Sequence, residues 1–289
     1  MSAFWGGEIF ARSYLGLGTP PLSIAHPTIE YMFAPNQDLM RFGNHQFFNE
    51  YGMRSPPLAN VTQPRRVLVL GDSVLNGGNL TDQARLATTL ASDDQVFFGN
   101  ASAGSWGPAN MAAWLAQYGT IGADTVILVL SSHDLRDVPT FQPLDPSTHP
   151  TVAPLSALSE GATRYLPRYL PFLRAKAEEQ DNAGDNLETG RAALENLLDA
   201  LAGKGEKACL VLHSTQEELA GNPDPGHAEI MSRVSARDIP IVDLAGSAGR
   251  AENAFRDNIH LNDFGQELLA EALRDCARTA VHPHAKRAR

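Results

Sequence analysis

Short apolar runs alternate with amphipathic segments along most of this chain, from Arg65 onwards. The runs are rich in valine, leucine and isoleucine, which is typical of strands that are buried on both faces of a parallel sheet. Alternation of this kind predicts an α/β fold, a three-layer α/β/α sandwich with a five-stranded parallel sheet in the order 2-1-3-4-5. The strands are predicted at 65–70, 95–100, 125–130, Lys207–His213 and 239–244, and the helices at 81–91, Pro108–Tyr118, 185–202, Gln216–Leu219, 227–236 and 263–280.

Two parts of the chain depart from this rhythm. Residues 1–64 lack strong periodicity and are rich in proline, asparagine and aromatic residues. We predict that they form an irregular N-terminal arm, which packs through its rings on a main domain at 65–289. Residues 138–184 form a proline-rich insertion after the third strand. This insertion is either a lid or substrate-facing wall, or an excursion over the surface.

The charge and composition of the chain argue against some classes of binding partner. The formal net charge of −10 argues against nucleic acid or an anionic membrane, because both attract basic surfaces. No stretch is apolar enough to insert into a membrane, and the N-terminus does not resemble a signal peptide. The expected compartment is therefore the cytoplasm as the chain stands, or the periplasm or cell exterior if an N-terminal anchor has been trimmed. Cys209 and Cys276 lie far apart in apolar patterns and are predicted to be two buried free thiols.

The candidate chemistry lies where strands end. The first strand runs into Gly71-Asp72-Ser73, and Asp257-Asn-Ile-His260 follows the last strand. Ligands bind at the carboxyl ends of strands in open α/β sheets, so these residues are expected to meet there. A serine becomes a nucleophile when an imidazole takes its proton and a carboxylate orients the imidazole. We therefore predict a catalytic triad of Ser73, His260 and Asp257.

Acyl transfer also needs hydrogen-bond donors that face the developing oxyanion. The backbone N–H groups of Ser73 and Gly104 are the predicted donors, and the side chain of His133 would complete the hole. Gly104 lies in a loop of small residues after the second strand, and His133 follows the third strand. No zinc spacing or phosphate-binding glycine loop is present, so neither a metal ion nor a cofactor is predicted.

These segments resemble the blocks of the SGNH (GDSL-type) hydrolases, in the family's order and across about residues 65–280. The blocks are Gly71-Asp72-Ser73-Val74, the Gly104 loop, the segment ending at His133-Asp134, and Asp257-x-x-His260. The stretch 49–54 also resembles one that precedes the first block in bacterial members. The resemblance implies a flavodoxin-like fold, Ser73 as nucleophile, His260 as base, Asp257 as orienter, and oxyanion donors at Ser73 and Gly104.

One position departs from the family pattern. The third block usually reads Gly-x-Asn-Asp, in which the asparagine amide is an oxyanion donor, whereas this chain has Ser131-Ser-His133-Asp134. A neutral imidazole can donate one N–H, and a protonated one is a stronger donor whose effect depends on pH. The substitution is compatible with retained hydrolysis, with altered acyl chemistry or with loss of activity.

Three functions follow from the sequence. The first is a serine esterase that hydrolyses small acyl esters, such as acetyl esters on carbohydrate. The second is an O-acyltransferase that modifies a polysaccharide, with a sugar hydroxyl in place of water. The third is a degenerate carbohydrate-binding domain, in which rings such as Trp106, Trp114, Tyr165 and Tyr169 stack on sugars. A small-molecule or glycan ester is the expected substrate in the first case.

Overall fold

The N-terminal segment contains more regular structure than its composition indicates. The computed structural model of the chain describes residues 2–166, 183–203, 207–244 and 253–281. The prediction of an irregular arm is wrong in this respect, because strands of four or five residues are too short to show a periodic pattern. The segment forms one helix and two antiparallel hairpins: α1 (Ser2–Ser13), β1 (Ser23–His26) with β2 (Glu30–Phe33), and β3 (Gln37–Arg41) with β4 (Asn44–Phe48).

Five parallel strands form the central sheet. Their spatial order is β6-β5-β7-β8-β9, which is the predicted 2-1-3-4-5 order, and the predicted α/β fold is confirmed. Adjacent strands end almost level, since Gly71 pairs with both Ser102 and Val129 in the ladders. The strands are β5 (Arg65–Gly71), β6 (Val96–Ser102), β7 (Thr125–Ser131), β8 (Lys207–His213) and β9 (Ile241–Asp243).

Helices cover both faces of this sheet. The helix predicted at 81–91 is divided, because a 3₁₀ turn at Gln83–Arg85 precedes a shorter α-helix. Pro108 occupies the first turn of its helix, and Asn262 accepts a hydrogen bond from the N–H of Gly265 as the last helix begins. The helices are α2 (Ser73–Asn76), α3 (Ala87–Ala91), α4 (Pro108–Tyr118), α5 (Ala157–Glu160), α6 (Ala183–Gly203), α7 (Gln216–Leu219), α8 (Pro225–Ser235) and α9 (Asp263–Val281).

The two cysteines form a disulfide, so the prediction of free thiols is wrong. Side chains alternate between the faces of a strand, and Cys209 on β8 shares the face of Val211 in the buried cluster that includes Leu273 and Cys276 of α9. The Cα atoms of Cys209 and Cys276 are 5.6 Å apart, and the two residues are bonded. The bond joins the sheet to the helix that follows Asp257 and His260.

The N-terminal segment and the start of the insertion pack together. Arg41 of β3 and Glu160 of α5 form an ion pair that is buried on both sides, with side chains 0% and 3% exposed. The guanidinium of Arg41 also donates to the hydroxyl of Tyr165 over 2.7 Å. The later part of the insertion, at 167–182, lies outside the described residues, and so does Tyr169. No helix in the described ranges is both long and apolar enough to cross a membrane. The division of the chain into an arm and a main domain stays a prediction.

Candidate active site

Ser73 lies at the carboxyl end of β5, as the sequence predicts, and begins the short helix α2. Asp72 caps this helix, since its carboxylate accepts a hydrogen bond from the N–H of Val74 over 2.9 Å. The turn requires a glycine at residue 71, because a Cβ there would come within 2.9 Å of the side chain of Leu75. The end of β5, the Asp72 cap and the close packing of Gly71 against Leu75 together place Ser73 at the edge of the sheet.

His260 and Asp257 meet this hydroxyl. The Nε2 atom of His260 lies 3.0 Å from the Oγ of Ser73. Its Nδ1 atom lies 2.8 Å and 3.0 Å from the two carboxylate oxygens of Asp257. All three residues are therefore in hydrogen-bond contact in the order that activation of a serine requires.

The carboxylate of Asp257 is held in its ionised form. Burial raises its pKa, but hydrogen bonds from the backbone N–H groups of His260 and Ile259, at 2.7 and 3.0 Å, outweigh that effect. The net result is a pKa below the ordinary value of a carboxyl. Asp257 thus remains an acceptor for the imidazole N–H at neutral pH. Its side chain is 53% exposed, so water screens this interaction in part.

Arg54 anchors the loop that follows Ser73 and helix α2. Its side chain is 1% exposed, and its guanidinium donates to the carbonyls of Asn76 at 2.5 Å, Gly78 at 2.7 Å and Thr81 at 2.5 Å. Sequence reasoning did not assign this role. The stretch 49–54 was noted only as a resemblance, and a side chain that binds distant carbonyls leaves no local pattern.

The Gly104 loop lies beside Ser73 at the same edge of the sheet. The N–H groups of Ser73 and Gly104 make no hydrogen bond within the described ranges, so both are free to donate to a ligand. The space in front of Gly104 is open, since a Cβ there would meet only the hydroxyl of Tyr31, at 3.7 Å. The role of these two N–H groups as oxyanion donors stays a prediction.

His133 follows β7 and faces buried carboxylates. Its Nε2 atom lies 3.3 Å from Asp134, 3.7 Å from Asp72 and 3.8 Å from Asp137. Burial raises the pKa of Asp72, and burial together with the neighbouring Asp72 raises the pKa of Asp134 well above its ordinary value. In this orientation the Nε2 atom of His133 is turned towards the carboxyl groups that lie next to Ser73. Its role as an oxyanion donor stays a prediction.

Asp72, His133 and Asp134 together offer the types of ligand atom that bind a metal ion. Ligand atoms of Asp72, His133 and Asp134 lie within 4.8 Å of one another, and the sequence showed no motif for this. Among the described residues, one oxygen of each of these aspartates is buried without a hydrogen-bond partner. The Nε2 atom of His133 lies 3.3 Å from Asp134 and 3.7 Å from Asp72, so the imidazole can serve as a hydrogen-bond partner of these carboxyl groups without an ion.

His213 ends β8 and contacts the segment that carries His260. Its ring is buried, and the Nε2–H group donates to the carbonyl of Ile259 over 2.9 Å. Burial lowers the pKa of His213 to about 4, so the ring is neutral at ordinary pH. The contact fixes the backbone next to His260.

A cleft with a volume of about 540 Å³ opens at His260 and Asp257. Its walls include the rings of Phe42 and Tyr165, together with Arg164 and Arg256. Two other rings that were candidates for stacking on a sugar do not reach the cleft. Trp106 and Trp114 are only 2% and 1% exposed, and both belong to the core.

Comparison with known proteins gives structural neighbours. No family model and no curated protein matches the sequence. A member of the lipolytic protein G-D-S-L family from Veillonella parvula is 13% identical, with a TM-score of 0.46 over 73% of this chain and 97% of that one. The psychrotrophic esterase EstA from Pseudoalteromonas sp. is 13% identical, with a TM-score of 0.44 over 75% and 98%. An acetylxylan esterase from Geobacillus stearothermophilus is 13% identical, with a TM-score of 0.44 over 74% and 94%.

Proposed function

We propose that this protein is a serine esterase that hydrolyses small acyl esters of a hydroxylated, carbohydrate-like alcohol. The observation that carries the proposal is the continuous contact from Ser73 through His260 to Asp257, at 3.0 and 2.8 Å. Residues that lie 187 positions apart in the sequence form this contact at one edge of the sheet. Such an arrangement of hydroxyl, imidazole and carboxylate performs acyl transfer on several unrelated folds.

The geometry supports a two-step reaction. As the Oγ of Ser73 attacks the ester carbonyl, its proton passes to the Nε2 of His260, and the ionised Asp257 stabilises the imidazolium through Nδ1–H. Collapse of the tetrahedral intermediate transfers that proton to the departing alkoxide and leaves an acyl group on Ser73. His260 then takes a proton from water as its oxygen attacks the acyl-enzyme, and it returns this proton to the Oγ of Ser73 when the bond to the acyl group breaks and the acid leaves.

The oxyanion of each tetrahedral intermediate is bound by the backbone N–H groups of Ser73 and Gly104. We assign His133 as the third donor, in the place of the family's asparagine. Its imidazole is partly exposed, at 33%, and lies next to Asp72, the neighbour of the nucleophile. In this role the ring turns one N–H towards the oxyanion when an ester is bound.

The shape of the cleft supports the substrate class. The space beside His260 combines two aromatic rings with two guanidinium groups and is open to solvent, rather than being a closed apolar tunnel for a long acyl chain. Rings and polar groups in such a combination suit a sugar, whose faces are apolar and whose rim is hydroxylated. Ser73→Ala tests the proposal: turnover of p-nitrophenyl acetate and of a peracetylated sugar should be lost, whereas Ser214→Ala should retain both. Turnover that survives Ser73→Ala would exclude the proposed nucleophile.

A further inference from the structure

The N-terminal hairpin of β1 and β2 is bonded to the loop that carries Gly104. The hydroxyl of Tyr31 donates to the carbonyl of Gly104. In the reverse direction, the indole N–H of Trp106 donates to the carbonyl of Tyr31 over 3.0 Å, and the amide of Asn110 donates to the carbonyl of Ile29 over 2.7 Å. Three hydrogen bonds thus join the loop, and the helix α4 that follows it, to one short strand and the turn before that strand.

The loop needs such support because its backbone is not relaxed. Ser105 has a φ of 52°, in the left-handed region that residues other than glycine seldom adopt. Conformations of this kind persist only where the surroundings hold them. The carbonyl that Tyr31 binds belongs to the peptide unit between Gly104 and Ser105, so this hydrogen bond acts next to both the strained residue and the proposed oxyanion donor.

Tyr31 is itself well fixed. It is 4% exposed, and its ring packs edge-on against His149 of the insertion, with 4.2 Å between ring centroids. Burial, together with the nearby Glu30, Asp137 and Asp72, raises the pKa of the phenol well above its ordinary value. The hydroxyl therefore keeps its proton and remains a donor over the whole range in which an esterase would be assayed.

We infer that Tyr31 is a positioning residue for the oxyanion hole, and that it acts by holding the Gly104–Ser105 peptide unit in place through its hydroxyl. The inference rests on the proposed function, and it makes the N-terminal segment part of the active site rather than a covering. Tyr31 touches no reacting atom. Its effect is on the direction of the Gly104 N–H, and it should appear in the transition state rather than in substrate binding.

Tyr31→Phe removes the hydroxyl and keeps the ring against His149. The matched control is Tyr118→Phe, because the hydroxyl of Tyr118 contacts the same strand at the sulfur of Met32, at 3.5 Å, without touching the Gly104 loop. For Tyr31→Phe we expect kcat for p-nitrophenyl acetate to fall about 10-fold with KM within about twofold, the pattern of an interaction made in the transition state. The control should keep wild-type kcat.

A second measurement separates orientation of the loop from general stability. Butylboronic acid mimics the tetrahedral intermediate once the Oγ of Ser73 binds its boron, and its Ki should rise in Tyr31→Phe by the same factor as kcat falls. Melting temperatures of both variants show whether either is unfolded at the assay temperature. Equal losses in the two variants, or wild-type kcat and Ki in Tyr31→Phe, would overturn the inference and leave the triad intact. A wild-type protein that neither hydrolyses the ester nor binds the boronate would overturn the proposed function and the inference with it.

Discussion

Reduction of the disulfide should destabilise the protein by several kcal/mol. Cys209 and Cys276 are separated by 67 residues, and a bond that closes a loop of this length removes entropy from the unfolded chain. The loop-closure relation gives about 4 kcal/mol at 25 °C. This is a large share of the free energy of unfolding of an ordinary domain, which is roughly 5–15 kcal/mol.

The assay is urea unfolding of the oxidised and reduced protein, followed by circular dichroism. Both cysteines are fully buried, so reduction must be carried out in denaturant before the protein is refolded. The double variant Cys209→Ala/Cys276→Ala is the control, since a reductant should leave its unfolding curve unchanged. We expect the free energy of unfolding to fall by about 4 kcal/mol on reduction of the wild type.

Thiol titration gives an independent result on the same bond. Protein denatured in guanidinium without reductant should show no free thiol, because the chain has two cysteines and both are in the disulfide. After reduction both should react. Two reactive thiols before reduction, or identical unfolding curves for the oxidised and reduced protein, would refute the reasoning.

Three further predictions concern the histidines of the site. His260→Ala should abolish ester hydrolysis. Asp257→Ala should lower kcat by about 10³-fold and leave measurable turnover, because the residue that orients the imidazole is less essential than the base itself. Full activity in both variants would discard the triad. If the side chain of His133 donates to the oxyanion, His133→Asn should keep kcat within about tenfold of the wild type, and kcat of His133→Ala should fall about 100-fold. An unchanged kcat in His133→Ala would show that this side chain is not part of the oxyanion hole. Burial lowers the pKa of His213 to about 4 from an ordinary value near 6.5, so the unfolded chain takes up this proton first as the pH falls. The contribution of neutral His213 to the free energy of unfolding is present above pH 6.5 and should decline by about 3 kcal/mol as the pH falls to 4. Urea unfolding at both pH values should show this loss in the wild type but not in His213→Gln.

The order of the sheet and the proximity of Ser73, His260 and Asp257 were predictable because each depends on a local pattern. Apolar runs mark strands, and the carboxyl ends of parallel strands share one edge, so Ser73 and the residues after the last strand had to lie close together. The distance of 3.0 Å between Ser73 and His260 agrees with this expectation.

The supports of the site could not be predicted in the same way. Tyr31 and Arg54 act on backbone carbonyls of Gly104 and Asn76, and a bond to a distant carbonyl requires no particular residue at the accepting position. The pairing of Cys209 with a cysteine on α9 depends on which face of the sheet that helix covers, and strand periodicity alone does not define this. The short hairpins escaped prediction because strands of four or five residues are too short to show a periodic pattern.

The most direct test of the central claim is the mass of the protein after treatment with a fluorophosphonate, followed by peptide mapping. Attack by an activated serine displaces fluoride and leaves one phosphonyl group on its Oγ. The account predicts a single adduct on the peptide that contains Ser73, absent in Ser73→Ala and greatly slowed in His260→Ala. An unlabelled wild-type protein, or an adduct elsewhere with turnover retained in Ser73→Ala, would contradict it.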